Sequence, residues 1–197
     1  MEETAFTSAE KKLAHTKTDV MDLIRERWSP RSFQDKPIPD EELELIFEGA
    51  SWAPSANNEQ PWRYFPGHKG SPIYDAIFES LVPANQIWAK GAPVLVLAAT
   101  KSNLEASGKP NAWAHHDLGL ANAFLLLQAR ARNIFGHILG GFDKQKAIEL
   151  LNIPNTLEPI AVIALGYLGN PESLEEPFRT RETTARNRKP VSEILIQ

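Results

Sequence analysis

Apolar residues recur at intervals of three and four along five segments of the chain, a spacing that places side chains on one face of a helix. Asp40 and Asp143 stand where two of these helices are expected to have their N-caps. The segment at 112–132 is apolar around nearly its whole circumference, which indicates a place in the core or at a subunit interface. The predicted helices cover about residues 18–27, 40–53, 73–81, 112–132 and 143–151.

Uninterrupted apolar runs predict buried strands at residues 93–100 and 160–168, and Trp62–Pro66 predicts a shorter strand. The tail Val191–Gln197 is a candidate for a final strand. Because strands and helices are mixed and the connections between strands are long, the pattern favours a central sheet covered by helices. We expect one domain over residues 17–197, preceded by a flexible polar arm at 1–16.

The composition narrows the functional classes. The chain has 197 residues and a net charge of −4, so its overall charge favours neither nucleic acid nor a membrane surface. The chain contains no cysteine, which excludes disulfides, thiolate catalysis and cysteine-ligated metals. No apolar run approaches the roughly 20 residues that span a bilayer, and the polar start is unlike a signal peptide. These features predict a soluble, cytoplasmic protein.

Two arginines flank a serine in the segment Arg27-Trp28-Ser29-Pro30-Arg31. Guanidinium groups are planar and can donate two hydrogen bonds to one anion, so this segment suits a phosphate group or the polar edge of a ring. Taken alone, the segment is explained better as surface arginines at the end of a helix.

Small residues, amides and prolines crowd the loop from Pro54 to Trp62. Amide side chains both donate and accept hydrogen bonds, so Asn57 and Gln60 suit a heterocycle that presents donors and acceptors in alternation. Pro, Ser and Asn are also the usual residues of a turn. A plain turn, however, rarely needs so many of them together with a tryptophan.

Two further segments suit a flat or anionic ligand. The glycines in Ile138-Leu139-Gly140-Gly141 let the backbone approach a flat molecule closely and offer N–H donors. The run at 179–189 has five basic residues against the single acid Glu182, a local reversal of sign that suits a phosphate. Each segment alone is explained as well by a turn or a solvated loop.

The run His115-His116-Asp117 is a candidate for a metal site, because some metal-dependent phosphohydrolases carry a histidine–aspartate pair on a helix. A metal site needs three or more consistently placed ligands, and the sequence offers few others. We therefore expect no metal, and either a structural role for Asp117 or substrate contacts from the histidines. Because no nucleophile motif is present either, a bound cofactor is expected to supply the chemistry.

In combination, these segments resemble the FMN-dependent nitroreductase family. The matching features, in matching order over roughly Val20 to Ile194, are Arg-x-Ser-x-Arg, the Pro54–Trp62 loop, Gly-Gly-Phe-Asp at 140–143 and a C-terminal Arg-Lys-Pro. The resemblance implies an α+β fold with a mixed, mainly antiparallel central sheet flanked by helices. It also implies a homodimer with exchanged C-terminal segments and two FMN sites, each built from both chains.

The resemblance further implies which residues hold the flavin. Arg27, Ser29 and Arg31 would contact the FMN phosphate, the ribityl chain and the pyrimidine edge. The other implied contacts are Pro54, Ser55, Asn57 and Gln60 from the second subunit, Ile138, Leu139, Gly140 and Gly141 along the ring near N5, and Arg186 and Arg188 at the phosphate.

The implied reaction carries electrons from NADH or NADPH through flavin N5 to a small electron-poor acceptor, such as a nitro compound or a quinone, by a ping-pong mechanism. No catalytic side chain is required. Many relatives carry a glutamate in or beside the glycine segment, where this chain has Ile138 and Leu139, so hydrogen bonds to the ring are expected from the backbone. A metal-dependent hydrolase of the His-Asp type and a non-catalytic flavin-binding protein are the alternatives.

Overall fold

The computed structural model describes residues 8–196 and has an antiparallel sheet at its centre. Its strands are β1 (Trp62–His68), β2 (Val94–Lys101), β3 (Phe135–Leu139) and β4 (Leu157–Gly166). Among the described residues, these four strands form one sheet in the spatial order β1–β2–β4–β3. Every neighbouring pair in the sheet is antiparallel.

Strand β2 lies in the middle of the protein and is almost completely buried. It pairs with β1 on one side and with β4 on the other, so that Val96 stands opposite Pro66 and Ile163. Successive side chains of a strand point to opposite faces. Val96 therefore belongs to one apolar core, and Leu95 and Leu97 belong to the other. Burial on both faces explains why the sequence of this strand is an uninterrupted apolar run.

Helices cover both faces of the sheet. Ile46, Leu118 and Leu125 fill the first core, and Ile77 and Trp88 fill the second. None of the helices in the described part of the chain combines the length and apolar character that a membrane crossing requires. Beside a helical stretch at residues 8–12, the structure has the helices α1 (Asp22–Glu26), α2 (Asp40–Ser51), α3 (Pro72–Ser80), α4 (Pro83–Ala89), α5 (Ala114–Ala131), α6 (Lys144–Leu151) and α7 (Phe178–Thr183).

The structure confirms the α+β class and the antiparallel character of the sheet that were expected from the sequence. The predicted cap of α6 is also confirmed, since the Asp143 carboxylate accepts the Lys146 N–H at 3.0 Å. The predicted cap of α2 is wrong, because Pro39 occupies the N-cap position and Asp40 is the first helical residue. The Asp40 carboxylate instead lies 2.8 Å from His68 Nε2.

Several elements differ from the sequence predictions. Helices α4 and α7 and strand β3 were not predicted. Pro83 opens α4 at the position where a helix tolerates proline. The prediction of a final strand at Val191–Gln197 is wrong for its first residues. Val191–Glu193 form a 3₁₀ turn, in which the Glu193 N–H donates to the Pro190 carbonyl. Gln197 lies outside the described residues.

The predicted N-terminal arm is only partly described, since residues 1–7 lie outside the structure's described range. Residues 8–12 are helical, and Lys12 is buried. The Lys12 ammonium donates to the Arg181 carbonyl at 2.6 Å and lies 5.1 Å from the centre of the Trp28 ring. These contacts dock Lys12 onto the domain.

Candidate functional site

Residues 27–31, which we call the Arg–Ser–Arg segment, leave α1 in an extended conformation, starting with φ −66° and ψ 126° at Arg27. In an extended chain successive side chains point to opposite sides. Arg27, Ser29 and Arg31 are accordingly all partly exposed, while Trp28 and Pro30 are buried. The sequence suggested a helix end here, but this alternation of burial is typical of an extended segment with the three candidate residues on its more exposed side.

Three side chains from distant parts of the chain hold the backbone of this segment. The Arg186 guanidinium donates to the Arg27 carbonyl. His137 Nδ1 donates to the Pro30 carbonyl at 2.8 Å. The Glu182 carboxylate accepts the Arg31 N–H at 2.9 Å. The segment is therefore positioned by tertiary contacts rather than by its own hydrogen bonds.

Three guanidinium groups converge at the N-terminal end of the segment. Burial lowers the pKa of Arg27, and the charge of Arg188 lowers it further. Burial also lowers the pKa of Arg186, and the charges of Arg27 and Arg188 add to this effect. Within the described residues, the Arg27 guanidinium has no hydrogen-bond partner. Mutual repulsion of this kind is relieved when an anion such as a phosphate group binds between the cations.

Arg186 holds the protein backbone as well as contributing charge. The sequence resemblance assigned it to the phosphate, but its two terminal nitrogens donate to the carbonyls of Arg25 and Arg27. Its Nε is buried and has no partner among the described residues. Arg186 therefore holds the Arg–Ser–Arg segment. The Arg188 guanidinium donates to the Asn187 carbonyl at 2.8 Å, so among the described residues Arg27 is the member of this group without a hydrogen-bond partner.

A cleft of about 600 Å³ opens beside the C-terminal end of the segment. Arg31 lines it together with Trp88 of α4 and the residues Ile138–Gly141, so the structure brings the arginine and the glycine pair together. The Arg31 guanidinium lies 5.8 Å from the centre of the Trp88 ring. It makes no hydrogen bond within the described part of the chain, so it remains available to a ligand in the cleft.

The two glycines of the cleft have different surroundings. A Cβ atom at Gly140 would meet nothing within 4 Å, whereas one at Gly141 would lie 2.7 Å from Asn85 Nδ2. Asn85 Nδ2 donates to the Gly141 carbonyl at 2.9 Å, which fixes this backbone. In the described structure, the N–H groups of Gly140 and Gly141 donate to no protein atom. The pair therefore offers two backbone donors, with open space beside Gly140.

His137 forms part of the cleft wall, where its ring stacks on Trp88 at a distance of 4.5 Å between ring centres. Burial lowers the pKa of His137 to about 4, and the charge of Arg31 lowers it further, although the hydrogen bond to Pro30 opposes this shift. A carbonyl oxygen can only accept a hydrogen bond, so the proton of the neutral ring must be on Nδ1. Nε2 is then an acceptor.

The ligand-free protein is expected to lose stability as the pH falls from 6.5 towards 4, because the unfolded histidine binds a proton that the folded one excludes. The folded pKa of about 4 lies below the ordinary value of 6.5. This contribution, up to about 3 kcal/mol, is complete above the unfolded pKa and is lost as the pH falls through the folded one. In urea unfolding measured from pH 4 to 7, His137→Gln should flatten the decline relative to wild type. The exposed His68→Gln should not, and equal slopes for all three proteins would contradict the assignment.

The loop from Pro54 to Trp62 has an unusual backbone. Asn57, Asn58 and Gln60 have φ angles of 52°, 57° and 47°, in the left-handed region that residues other than glycine seldom adopt. The Ser55 hydroxyl accepts the Gln60 N–H at 3.0 Å and closes the loop on itself. Such conformations persist where surrounding contacts over-determine them, often at ligand sites.

Within a single chain, this loop lies apart from the cleft beside Arg31. Pro54 and Ser55 line a second depression of about 360 Å³, together with Trp113. Neither Asn57 nor Gln60 lines the cleft or this depression. The structure thus separates the loop from the other candidate residues of its own chain, which is the arrangement expected if the loop serves the site of a second subunit.

A model of the nitroreductase family matches residues 24–167, which is more than half of the chain. The chain belongs to the nitroreductase family. It is 31% identical over 156 residues to a protein of Methanothermobacter thermautotrophicus provisionally named NADH dehydrogenase/NAD(P)H nitroreductase, with 77% of this chain and 78% of the relative covered.

Solved structures share the fold of this nitroreductase-family protein. One, described as an oxidoreductase containing FMN, is 34% identical with a TM-score of 0.87, and 93% of each chain is covered. Another is a provisionally assigned nitroreductase of Desulfovibrio desulfuricans in complex with FMN. It is 27% identical with a TM-score of 0.72, and 92% of this chain and 98% of that chain are covered.

The His115–Asp117 run of this nitroreductase-family protein contacts the Pro54–Trp62 loop through Asp117. Across residues 8–196, no three His, Asp or Glu side chains are grouped so as to hold a metal ion. His115 Nε2 lies 2.8 Å from a Glu158 oxygen, and His116 Nδ1 lies 2.9 Å from Asp117 Oδ1. The other oxygen of the buried Asp117 accepts the Ala56 N–H at 3.0 Å. Asp117 therefore anchors the Pro54–Trp62 loop to α5, which is the structural role considered from the sequence.

Replacing Asp117 by alanine is expected to lower the free energy of unfolding by about 1–3 kcal/mol, because the Ala56 N–H loses a charge-assisted partner. The loop should also become more mobile, since Asp117 is its link to α5. Denaturant unfolding and limited proteolysis within residues 54–60 measure the two effects. Glu158→Ala is the matched control, because it removes a carboxylate that pairs only with exposed side chains. Equal proteolysis rates in the two variants would contradict the anchoring role.

Two residues that shape the site were not found from the sequence. His137 and Glu182 each contact the Arg–Ser–Arg segment across more than 100 positions of the chain, with separations of 107 and 151 residues. No local pattern reveals such contacts. The only available indication was that Glu182 is the single acid in a basic run, which is unexpected in a solvated basic loop.

Proposed function

We propose that this protein is an FMN-dependent oxidoreductase that takes electrons from NADH or NADPH and passes them to a small electron-poor acceptor, such as a nitro compound or a quinone. The observation that carries the proposal is the Arg–Ser–Arg segment, in which Arg27, Ser29 and Arg31 are partly exposed and Arg31 lines the glycine-walled cleft. Relatives named as NAD(P)H nitroreductases and related structures that contain FMN support it.

The residues present fit an FMN molecule. The free guanidinium of Arg27 and the converging charge of Arg188 suit a phosphate dianion. The cleft volume of about 600 Å³ lies within the range of sites that bind small molecules. Open space in front of Gly140 admits a flat ring, and the two free glycine N–H groups can donate to its polar atoms.

Each side chain has a defined task in this proposal. Arg27 and Arg188 bind the phosphate, and Ser29 donates to the ribityl chain. Arg31, which lines the same cleft as the glycine pair, binds the pyrimidine edge and stabilises negative charge there, a preorganised electrostatic effect. FMN bound here would supply two-electron chemistry, and a nicotinamide and an acceptor that used the same open side in turn would show ping-pong kinetics.

The proposal includes a homodimer. The exposed face of α5 is apolar, with Gly119, Leu120, Ala123 and Phe124 spaced so that they lie on one side of the helix. The tail at residues 191–196 also exposes apolar side chains, and Ile196 is 90% exposed. Contiguous exposed apolar surface marks an interaction site. A second copy of the chain would cover these surfaces and bring the Pro54–Trp62 loop, with Asn57 and Gln60, to the first chain's cleft.

A non-catalytic flavin-binding protein is the alternative function that the same binding residues support. A metal-dependent hydrolase lacks comparable support, because Asp117 and His116 pair with each other and Asp117 anchors a loop. The two flavin hypotheses differ in whether a nicotinamide can reduce the bound cofactor and an acceptor can reoxidise it.

The visible spectrum of the purified protein, before and after addition of FMN, tests the proposal. We expect flavin absorption bands that remain with the protein after desalting, and their loss when NADH or NADPH is added without oxygen. Addition of a quinone or a nitroaromatic should restore the bands. Absence of flavin binding would overturn the proposal, and a bound flavin that no nicotinamide reduces would favour the non-catalytic alternative.

A further inference from the structure

Glu182 is completely buried, although it lies in the basic run at 179–189. It belongs to α7, and its carboxylate faces the end of the Arg–Ser–Arg segment. Oε1 accepts the N–H of Arg31 at 2.9 Å and that of Ser32 at 3.0 Å, and Oε2 accepts the Arg31 N–H at 3.0 Å. Charge-assisted hydrogen bonds therefore join α7 to this backbone.

A buried carboxylate at this place is unfavourable in two ways. Burial raises its pKa, although the N–H bonds of Ser32 and Arg31 and the charges of Arg31 and Lys12 oppose the shift. Its negative charge also repels any anion that binds to the neighbouring arginines. The hydrogen bonds from the Arg31 and Ser32 backbone, together with the attraction of the Arg31 and Lys12 charges, offset this cost.

These hydrogen bonds determine where Arg31 lies. The Arg31 side chain reaches the cleft between Trp88 and Phe178, whose ring centres are 5.8 and 6.0 Å from its guanidinium carbon. In the described part of the chain, that guanidinium has no protein hydrogen bond of its own. The backbone held by Glu182 consequently sets the position from which Arg31 can reach a ligand.

We propose that Glu182 is a positioning residue for the cofactor, which acts through the backbone of Arg31 and Ser32 to hold the Arg31 guanidinium in the cleft. The inference rests on the proposed function, since it takes FMN to be the ligand. Glu182 itself does not touch the cofactor, and its hydrogen-bond acceptors rather than its charge perform the role.

Two neutral variants of similar volume separate the acceptor from the charge. In Glu182→Gln, the amide oxygen can take the place of Oε1, which accepts from both Arg31 and Ser32. Glu182→Met fills the space without an acceptor for either N–H group. We expect the Met variant to raise the Kd for FMN about tenfold or more, and the Gln variant to stay within about threefold of wild type.

FMN titration of the flavin-free full-length protein, followed by fluorescence quenching, gives these constants. Glu172→Gln is the control, because it removes an equally negative but exposed carboxylate that pairs with Arg179. Its Kd should stay within about twofold of wild type. Thermal unfolding of the flavin-free variants, measured in parallel, shows whether a change in affinity reflects the site or the fold.

Equal FMN affinities in the Gln and Met variants would overturn the inference, as would a Met variant that is less stable but binds FMN as wild type does. If the Met variant does not fold, amide hydrogen exchange of Arg31 and Ser32 in Glu182→Gln tests whether Glu182 acts through this backbone. Exchange protection and FMN affinity should be retained or lost together, and a change in only one of them overturns the role. A wild-type protein that does not bind FMN would overturn the proposed function, and this inference with it.

Discussion

Replacing Arg27 by alanine is expected to weaken FMN binding roughly tenfold to a hundredfold. A hydrogen bond to a charged group contributes about 1.5–3 kcal/mol. In the described structure the Arg27 guanidinium has no protein hydrogen-bond partner, so this contribution is expected to go to the phosphate. The stability of the flavin-free protein should not fall, because burial and the charge of Arg188 already disfavour the Arg27 cation. The variant therefore separates ligand binding from folding.

Equilibrium titration of flavin-free protein with FMN measures the effect of the Arg27 substitution. Arg132→Ala is the matched control, because Arg132 is exposed and pairs with Glu42 at 2.6 Å, away from the segment. Its FMN affinity should equal that of wild type. Wild-type affinity in Arg27→Ala would show that the phosphate is bound elsewhere, and the arrangement of the site proposed above would be wrong.

Phe124→Glu is expected to convert the proposed dimer into monomers and to abolish tight FMN binding. Phe124 is 39% exposed in the single chain, on the apolar face of α5 that a second copy would cover. A carboxylate buried there without a partner would weaken association by roughly a hundredfold or more. Flavin would be lost as well, because Asn57 and Gln60 could no longer reach the cleft of the other chain.

Light scattering after size-exclusion chromatography reports the mass, and FMN titration of the same samples reports the affinity. Phe124→Leu is the control, since it keeps an apolar side chain and should remain dimeric and flavin-bound. A Phe124→Glu variant that remains dimeric would show that this face of α5 is not the interface. A monomer with unchanged FMN affinity would show that one chain is sufficient for the site.

Local patterns predicted the helices and strands in which buried positions recur regularly along the sequence. The apolar stripe of Leu43, Ile46 and Ala50 predicted α2, because a helix that covers a sheet buries one side at a period near 3.6. The uninterrupted apolar run in β2 predicted a strand buried on both faces. Strand β3 escaped prediction because Gly136 and His137 interrupt its apolar residues, so that neither a clear alternation nor an uninterrupted apolar run appears. At Gly136 an added Cβ would overlap the side chain of Leu126.

In the candidate site, too, local patterns predicted the residue types but not their arrangement. The residue types that suit a phosphate and a flat ring could be read from the Arg–Ser–Arg segment, the glycine pair and the Pro54–Trp62 loop. Their arrangement could not be, since Arg31 meets Gly140 and Gly141 only because the chain returns to the segment through β3. The docking of Lys12 against Trp28 was missed for the same reason, because a polar N-terminal stretch carries no sign of its distant partners.

The sequence by itself determined the α+β class, the chemistry offered to a ligand, and the family to which the chain belongs. These properties depend on residue types and short spacings, which neighbouring positions set. Only the tertiary structure decided that the Arg–Ser–Arg segment is extended, that His137 and Glu182 hold it, and that Asp117 ties down the loop. Those contacts join residues between 61 and 151 positions apart, so they exist only once the sheet and its helices have assembled.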